Sequence, residues 1–311
     1  MTCSETPWPA LSTCLDGAVT RYSKRYRPTM DAKLMSDEIR QVQERITDAD
    51  IEAFWRDGAV PLRGVFAQRW RDLLATGIEK TVAKPTPYGR VQSKPDDPGW
   101  FFTDYYMWRH YDEFEIVARE GPGGPIASKL LDSETIHYFY EGLFLKEAGP
   151  RRGSDWHQDQ PYYNVDGRKL CVLWIPLDPV SEETTLRIVK GSHTSGRWYQ
   201  PTFFAQERTL EGAEAMFEPT PDVDSDPERY QVLSWPLNPG DVLVFHPLCL
   251  HGAKGNPTSF RRRALQTVFL GDDCVYGERM AEVEPKIEGH DFQPGDRLDV
   301  ESVFPSVWPR D

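Results

Sequence analysis

The sequence predicts a mainly β fold with flanking helices: a double-stranded β-helix of the jelly-roll, cupin-like kind. From residue 135 onward, short apolar runs recur between Pro, Gly and Asp turns, as in a sandwich or barrel. Helical spacing dominates before that, up to about residue 131. Candidate metal-binding residues fall on or beside the later strands, where a jelly roll turns them inward.

Each element has a local reason. Ser36 is placed to cap a helix through SDEIRQVQERI, with Asp37 and Glu38 in its first turn. Thr47 or Asp48 caps a second helix, DADIEAFWRDG, which sets Ile51 and Phe54 on one face and stops at Gly58. AVPLRGVF reads as a short strand. Residues 66–83 return to helical spacing, with Trp70, Leu73 and Leu74 as the apolar face, and GPGGP at 121–125 reads as a turn. The predicted strands are TIHYFYEGLFLKEA, KLCVLWIPL (169–177), TLRIVK (185–190), YQVLSWPL (230–237), DVLVFH (241–246) and RALQTVFLG (263–271). The acidic, Pro-rich segment 205–229 reads as a surface insertion, a candidate lid. Residues 1–35 read as a peripheral tail, and 36–311 as one domain.

Composition bounds the function. With 39% apolar and 27% charged residues over 311 positions, the chain is globular rather than disordered. A net charge of −13 lacks the basic footprint of nucleic-acid binding. No apolar run approaches a bilayer span, so no membrane insertion is expected. Five cysteines with no CxxC pair argue against a disulfide framework or zinc knuckle, and the N-terminus lacks the pattern of a secretory signal. These features predict a cytoplasmic protein acting on a small molecule; no residue pattern specifies an oligomeric state.

The chemistry concentrates in three segments. SDWHQDQPYY carries His157 and Asp159, which on a strand would share a face while Gln158 points away. FHPLCLHGAKGN carries His251; His246 competes, but it ends a strand that Pro247 breaks. Two His and one carboxylate with open positions form the facial triad of non-haem Fe(II) oxygenases. In NPTSFRRRALQTVF, strand alternation groups Arg262, Ala264, Gln266 and Val268 on one face. The Arg fork suits a carboxylate, and small Ala264 leaves room for it. Among the remaining candidates, WFFTDYYMWRHY reads first as core. The sharper reading is a substrate wall of Tyr105, Tyr106 or Trp108, with Gln160 beside it. His110, His137, His193 and His290 read as structural, and Lys146, near a strand end, as easily solvated.

These segments resemble the phytanoyl-CoA dioxygenase (PhyH-like) family of Fe(II)/2-oxoglutarate oxygenases. The resemblance runs from ITDADIEAFWRDGAVPLRGVF through WHQDQPYY, LWIPLDPV and LRIVKGSHTSG to NPGDVLVFHPLCLHGAKGNPTSFRRRAL. It implies that His157, Asp159 and His251 bind iron. It implies that Arg262 holds the distal carboxylate of 2-oxoglutarate, with Arg261 as the alternative register, and that Trp174 lies near the co-substrate. Fe(II), 2-oxoglutarate and O2 are the implied cofactors, and C–H hydroxylation with release of succinate and CO2 the implied reaction. Retention of Asp159 favours hydroxylation over halogenation. The family's Asn-Gly is Thr184-Thr185 here, and its Pro before Gly191 is Lys190. Two other classes fit the residues: a zinc hydrolase on the same three ligands, and a non-catalytic jelly-roll binding protein.

Overall fold

A computed structural model describes residues 32–93, 99–149, 153–201, 217–279, 287 and 289–310. Its helices are Ala32–Glu44 (α1), Asp48–Asp57 (α2), Gln68–Ala83 (α3), Asp112–Glu120 (α4) and Gly123–Leu131 (α5). Its strands are Ala59–Leu62 (β1), Arg90–Val91 (β2), Phe101–Tyr105 (β3), Ile136–Lys146 (β4), Ser154–His157 (β5), Val165–Asp166 (β6), Leu170–Pro176 (β7), Leu186–Val189 (β8), Val232–Leu233 (β9), Val242–Phe245 (β10), His251–Ala253 (β11), Arg262–Leu270 (β12), Val275–Tyr276 (β13) and Ser306–Trp308 (β14). The large sheet runs β1-β10-β7-β12-β4-β3-β2, with β14 also on β4; a smaller sheet runs β5-β11-β8-β9. All named pairings are antiparallel, and the fold is the jelly roll with added helices.

Local chemistry explains α2 and its exit. The Thr47 side chain accepts the Asp50 N–H at 3.3 Å, and the Asp50 carboxylate accepts the Thr47 N–H at 2.8 Å, a reciprocal cap. Gly58 ends the helix at φ 88°, donating to the Phe54 carbonyl at 2.9 Å. A Cβ at Gly58 would lie 2.2 Å from Cys249 Sγ and 2.5 Å from His193 Nδ1, so this turn accepts only glycine. Phe54 is fully buried, worth about 1.5–3 kcal/mol by area.

Three expectations change. Ser36 is no cap: α1 begins at Ala32, so Ser36 sits inside the helix, whose start overlaps the segment read as tail. GPGGP is only partly a turn, because Gly123, Gly124 and Pro125 already belong to α5. They are tolerated in that first turn, which packs tightly: a Cβ at Gly123 would strike the Phe269 ring at 2.3 Å. YQVLSWPL narrows to the two-residue β9. The expected insertion lies outside the described residues up to 216. Beyond it, Val223 is buried in a small cluster with Val189, Tyr199 and Leu250, against the smaller sheet.

The register of the large sheet positions the site. On β12, Arg262, Ala264, Gln266 and Val268 face Lys146, Phe144, Gly142 and Tyr140 of β4. Gln266 also faces Trp174 of β7. Side-chain alternation puts all of these on one face, and the helices pack against the other, α5 lying on β4, β7 and β12.

Candidate metal centre

His157 ends β5 and His251 begins β11, and the two are direct cross-strand partners. Their rings lie 4.2 Å apart, centroid to centroid. Asp159 comes from beyond the strand, correcting the expected i, i+2 strand pair. The chain turns helical there (φ −84°, ψ −41°), and the Asp159 and Gln160 N–H groups both donate to the Pro247 carbonyl, at 2.8 and 3.1 Å. The carboxylate still converges: Asp159 Oδ1 lies 3.4 Å from His157 Nε2 and 3.5 Å from His251 Nε2. The three donor groups fall within 4.8 Å of one another.

The surroundings orient each of the three groups. His157 Nδ1–H donates to the Asp155 carbonyl at 2.7 Å, and His251 Nδ1–H to the Cys249 carbonyl at 2.9 Å. Each Nε2 is thereby left facing Asp159. Burial lowers the His157 pKa, but the Asp159 hydrogen bond and charge outweigh burial and raise it above the usual histidine value. Gln266 Nε2 donates to Asp159 Oδ2 at 2.9 Å, leaving Oδ1 toward the histidines. Burial drives His251 down to about 4 against the pull of Asp159, so its imidazole is neutral at neutral pH. Burial raises the Asp159 pKa, but His251, His157 and Gln266 outweigh it and keep the carboxyl below its usual range. Gln158 points away, as expected; its side chain bridges the Arg197 and Leu248 carbonyls and the Tyr199 N–H. His246 is a structural residue: its ring bonds the Arg168 carbonyl and the Leu248 N–H, and burial pushes it down to about 3.

The three consecutive arginines separate by partner. Arg261 pairs with Glu147 and Glu79, and Arg263 makes a two-pronged bond to Asp178. Arg262 is buried on the site face, with no carboxylate partner among the described residues. It donates to the Thr184 carbonyl, and its Nε has no partner among the described residues. The Thr184 that departs from the family pattern thus touches this arginine through its backbone.

Trp174 is buried across from Gln266. Tyr105 lies on the site face, across from Gly142. Tyr106 sits at φ 55°, a costly conformation for a bulky residue, and turns β3 into the short helix 107–109. Trp108 is on the helix-covered face, edge-on to Tyr138 and beneath Arg119 of α4. Gln160 Nε2 donates to the Val165 and Gly167 carbonyls, while its buried Oε1 has no partner among the described residues. Three site residues had no assigned role in the sequence. Gln266 had been placed only on a face. Tyr140 and Tyr163 join hydroxyls at 2.8 Å, and the nearby Asp159 charge helps to raise both phenols after burial. Lys146, which the sequence left as open to a solvated reading as to any other, is buried.

The phytanoyl-CoA dioxygenase (PhyH) family model matches residues 35–264, and the chain belongs to that family. Peroxisomal phytanoyl-CoA dioxygenase from Homo sapiens is 26% identical over 139 residues, which cover 43% of this chain and 39% of that enzyme. A probable alpha-ketoglutarate-dependent hypophosphite dioxygenase from Stutzerimonas stutzeri is 29% identical over 157 residues, 47% of this chain and 53% of that one. These alignments span between 39% and 53% of the relatives' lengths. Among solved structures, the non-heme alpha ketoglutarate dependent carbocyclase SnoK from nogalamycin biosynthesis superposes with a TM-score of 0.66 at 19% identity, over 85% of this chain and 98% of that one. EvdO2 from Micromonospora carbonacea var. aurantiaca, complexed with 2-oxoglutarate, reaches 0.55 at 20%, over 77% and 95%. At such identities these structures speak to the shared fold.

Proposed function

We propose that this chain is an Fe(II)- and 2-oxoglutarate-dependent oxygenase that hydroxylates a C–H bond of a small organic metabolite. The carrying observation is the pairing of a convergent His157–Asp159–His251 donor set with a buried arginine, Arg262, that has no carboxylate partner among the described residues. Two imidazoles and one carboxylate suit Fe(II) and leave open positions. A hydrolase using Zn²⁺ on the same three groups has no use for a buried guanidinium further along the sheet.

His157, Asp159 and His251 would hold the iron. Arg262 would hold the distal carboxylate of 2-oxoglutarate, with Ala264 and Trp174 bounding the space between. The bound metal and co-substrate supply the oxidising power, consuming O2 and releasing succinate and CO2. The protein orients and insulates. Gln266 fixes the free carboxylate oxygen of Asp159, and the Asp155 and Cys249 carbonyls fix the imidazole tautomers. The Tyr140–Tyr163 pair and the Phe245 ring, 4.6 Å from His251, keep water from that side. Tyr105, Tyr106 and the Gln160 Oε1, which has no partner among the described residues, are the groups proposed to meet substrate. Trp108, on the far face, would act only by supporting them.

The test is anaerobic reconstitution with Fe(II) and 2-oxoglutarate, then exposure to O2 with a metabolite pool, reading succinate. Substrate-dependent succinate supports the reading. A protein that binds Zn²⁺, forms no succinate and hydrolyses esters or amides would replace it with the hydrolase.

A further inference from the structure

Two glutamines flank Asp159, and their side chains reach different segments. Gln158 Nε2 donates to the Arg197 and Leu248 carbonyls at 3.1 and 2.8 Å, and its Oε1 accepts the Tyr199 N–H at 2.8 Å, which fixes the stretch 197–199. Gln160 Nε2 donates to the Val165 and Gly167 carbonyls, both at 3.3 Å, which fixes β6 and the turn after it. Arg279 joins the two segments. Its guanidinium carbon lies 4.9 Å from the centroid of the Trp198 ring, and its Nη2 donates to the Val165 carbonyl at 2.9 Å and to Asp166 at 2.7 Å. These contacts close a circuit through Gln158, 197–199, Arg279, Val165 and Gln160. The circuit begins and ends on the residues either side of Asp159. Arg279 therefore reaches the rim beside a proposed metal ligand, although it is remote in sequence.

Gln160 and Arg279 each have one polar atom left over. Gln160 is 1% exposed, and the two carbonyls facing its Nε2 fix the orientation of the amide. Its Oε1, an acceptor, has no partner among the described residues. The Arg279 side chain is 4% exposed, and its Nε–H, a donor, has no partner among them either. Buried polar atoms are costly to leave unpaired, so the two call for a ligand that answers both. The charge is already answered, because Asp166 holds the guanidinium. What remains is a demand for one acceptor and one donor rather than for an anion. A carboxylate would satisfy Nε but would be repelled by the Gln160 oxygen and the Asp166 carboxylate. An ammonium would satisfy Oε1 but face the guanidinium. A hydroxyl or an amide carries a donor and an acceptor without charge.

We propose that Gln160 and Arg279 form a substrate subsite for an uncharged hydroxyl or amide group. This rests on the oxygenase reading above, and it narrows the small organic metabolite to one that presents such a group beside the metal. Loss of either partner should then cost recognition, because a site built to hydrogen-bond a polar group discriminates against ligands that leave its own atoms unpaired.

The experiment is saturation-transfer NMR on the Fe(II)-loaded protein, kept anaerobic and saturated with 2-oxoglutarate so that Arg262 is occupied. Three probes of similar size compete: propanamide, propanoate and propylammonium. Propanamide should bind roughly three- to tenfold more tightly than either ion, the span expected for a neutral hydrogen bond. Arg279→Lys keeps a cation for Asp166 but removes the Nε donor. It should erase that preference while 2-oxoglutarate affinity stays within about twofold. Preference for propanoate or propylammonium, no probe bound, or a propanamide preference unchanged in Arg279→Lys would each overturn the subsite while leaving the oxygenase reading in place. The wild-type comparison decides even where the variant fails to fold. A protein that binds no 2-oxoglutarate in the same samples would overturn the oxygenase reading itself.

Discussion

Asp159 and Glu141 are both buried carboxylates, and the protein holds them in opposite states. Asp159 faces two imidazoles and the Gln266 amide, which keep it ionised despite burial. Glu141 projects from β4 toward the helix-covered face. Burial pushes it up to about 8, although it accepts hydrogen bonds from the Trp108 N–H and from the Tyr138 hydroxyl at 2.9 Å. The difference teaches that burial does not mark a functional acid. Convergent groups with lone pairs of their own do so, whereas Glu141 sees only donors that any acceptor of its shape would satisfy.

Substitution should separate the two most sharply at the metal. Asp159→Asn keeps the shape but removes the charge, and His157→Ala or His251→Ala removes a donor. Each should lower Fe(II) affinity by about a hundredfold or more and abolish turnover, as read by anaerobic metal titration. Wild-type iron affinity in both histidine variants would break the site assignment. Next in size is Arg262→Ala, which should cost roughly a hundred- to several-thousand-fold in 2-oxoglutarate affinity while sparing iron. Arg262→Lys should recover part. Arg261→Ala and Arg263→Ala should be mild, because those side chains are committed to Glu147, Glu79 and Asp178.

Glu141→Gln should leave metal binding intact, since a Gln oxygen can accept the Trp108 N–H and its amide can donate to Tyr138. Its signature lies in the pH profile of melting. The folded pKa of Glu141 stands above the unfolded value, so the native state binds the extra proton. Its stabilising contribution is present in full below the unfolded value of about 4.5 and is lost as pH rises toward 8. The variant should flatten that decline, on the order of 2–4 kcal/mol between pH 5 and 8. A wild-type profile unchanged by the substitution would show Glu141 to be ionised throughout. The smallest effect is remote from both acids: Thr47→Ala should remove about 1 kcal/mol of stability through the α2 cap, measured by chemical unfolding.

The proposed metal residues were legible because few residue types suit Fe(II) and because chain turns bracket them. The geometry behind Asp159 was not. Spacing suggested a shared strand, whereas the carbonyl of Pro247, 88 residues away, catches the chain in a turn that sequence proximity cannot reveal. Alternation correctly chose Arg262 over its neighbours for the site face, but the reason those neighbours are satisfied lies in Glu79, Glu147 and Asp178 on three other segments. Lys146 was left open in the sequence for a related reason. A charge at a strand end is normally wet, and only the pairing of β4 between β12 and β3 covers it. Ser36 and GPGGP were local signals that packing of α1 and α5 overrode.

Ala264, midway between Gln266 and Arg262, has a further consequence. The metal end and the carboxylate end of the proposed co-substrate channel are marked by residues four apart on one strand, about 13 Å at roughly 3.3 Å per residue. Because side chains alternate, the strand can place its anchor only in steps of two residues, about 6.6 Å each. One methylene in an oxo diacid spans far less than such a step. The strand therefore acts as a ruler with coarse graduations: moving the arginine one notch would overshoot every neighbouring diacid. A shorter or longer co-substrate would have to be met by changing the side chain on the same notch, which confines variation in chain-length preference to Arg262 and the small residue between the marks.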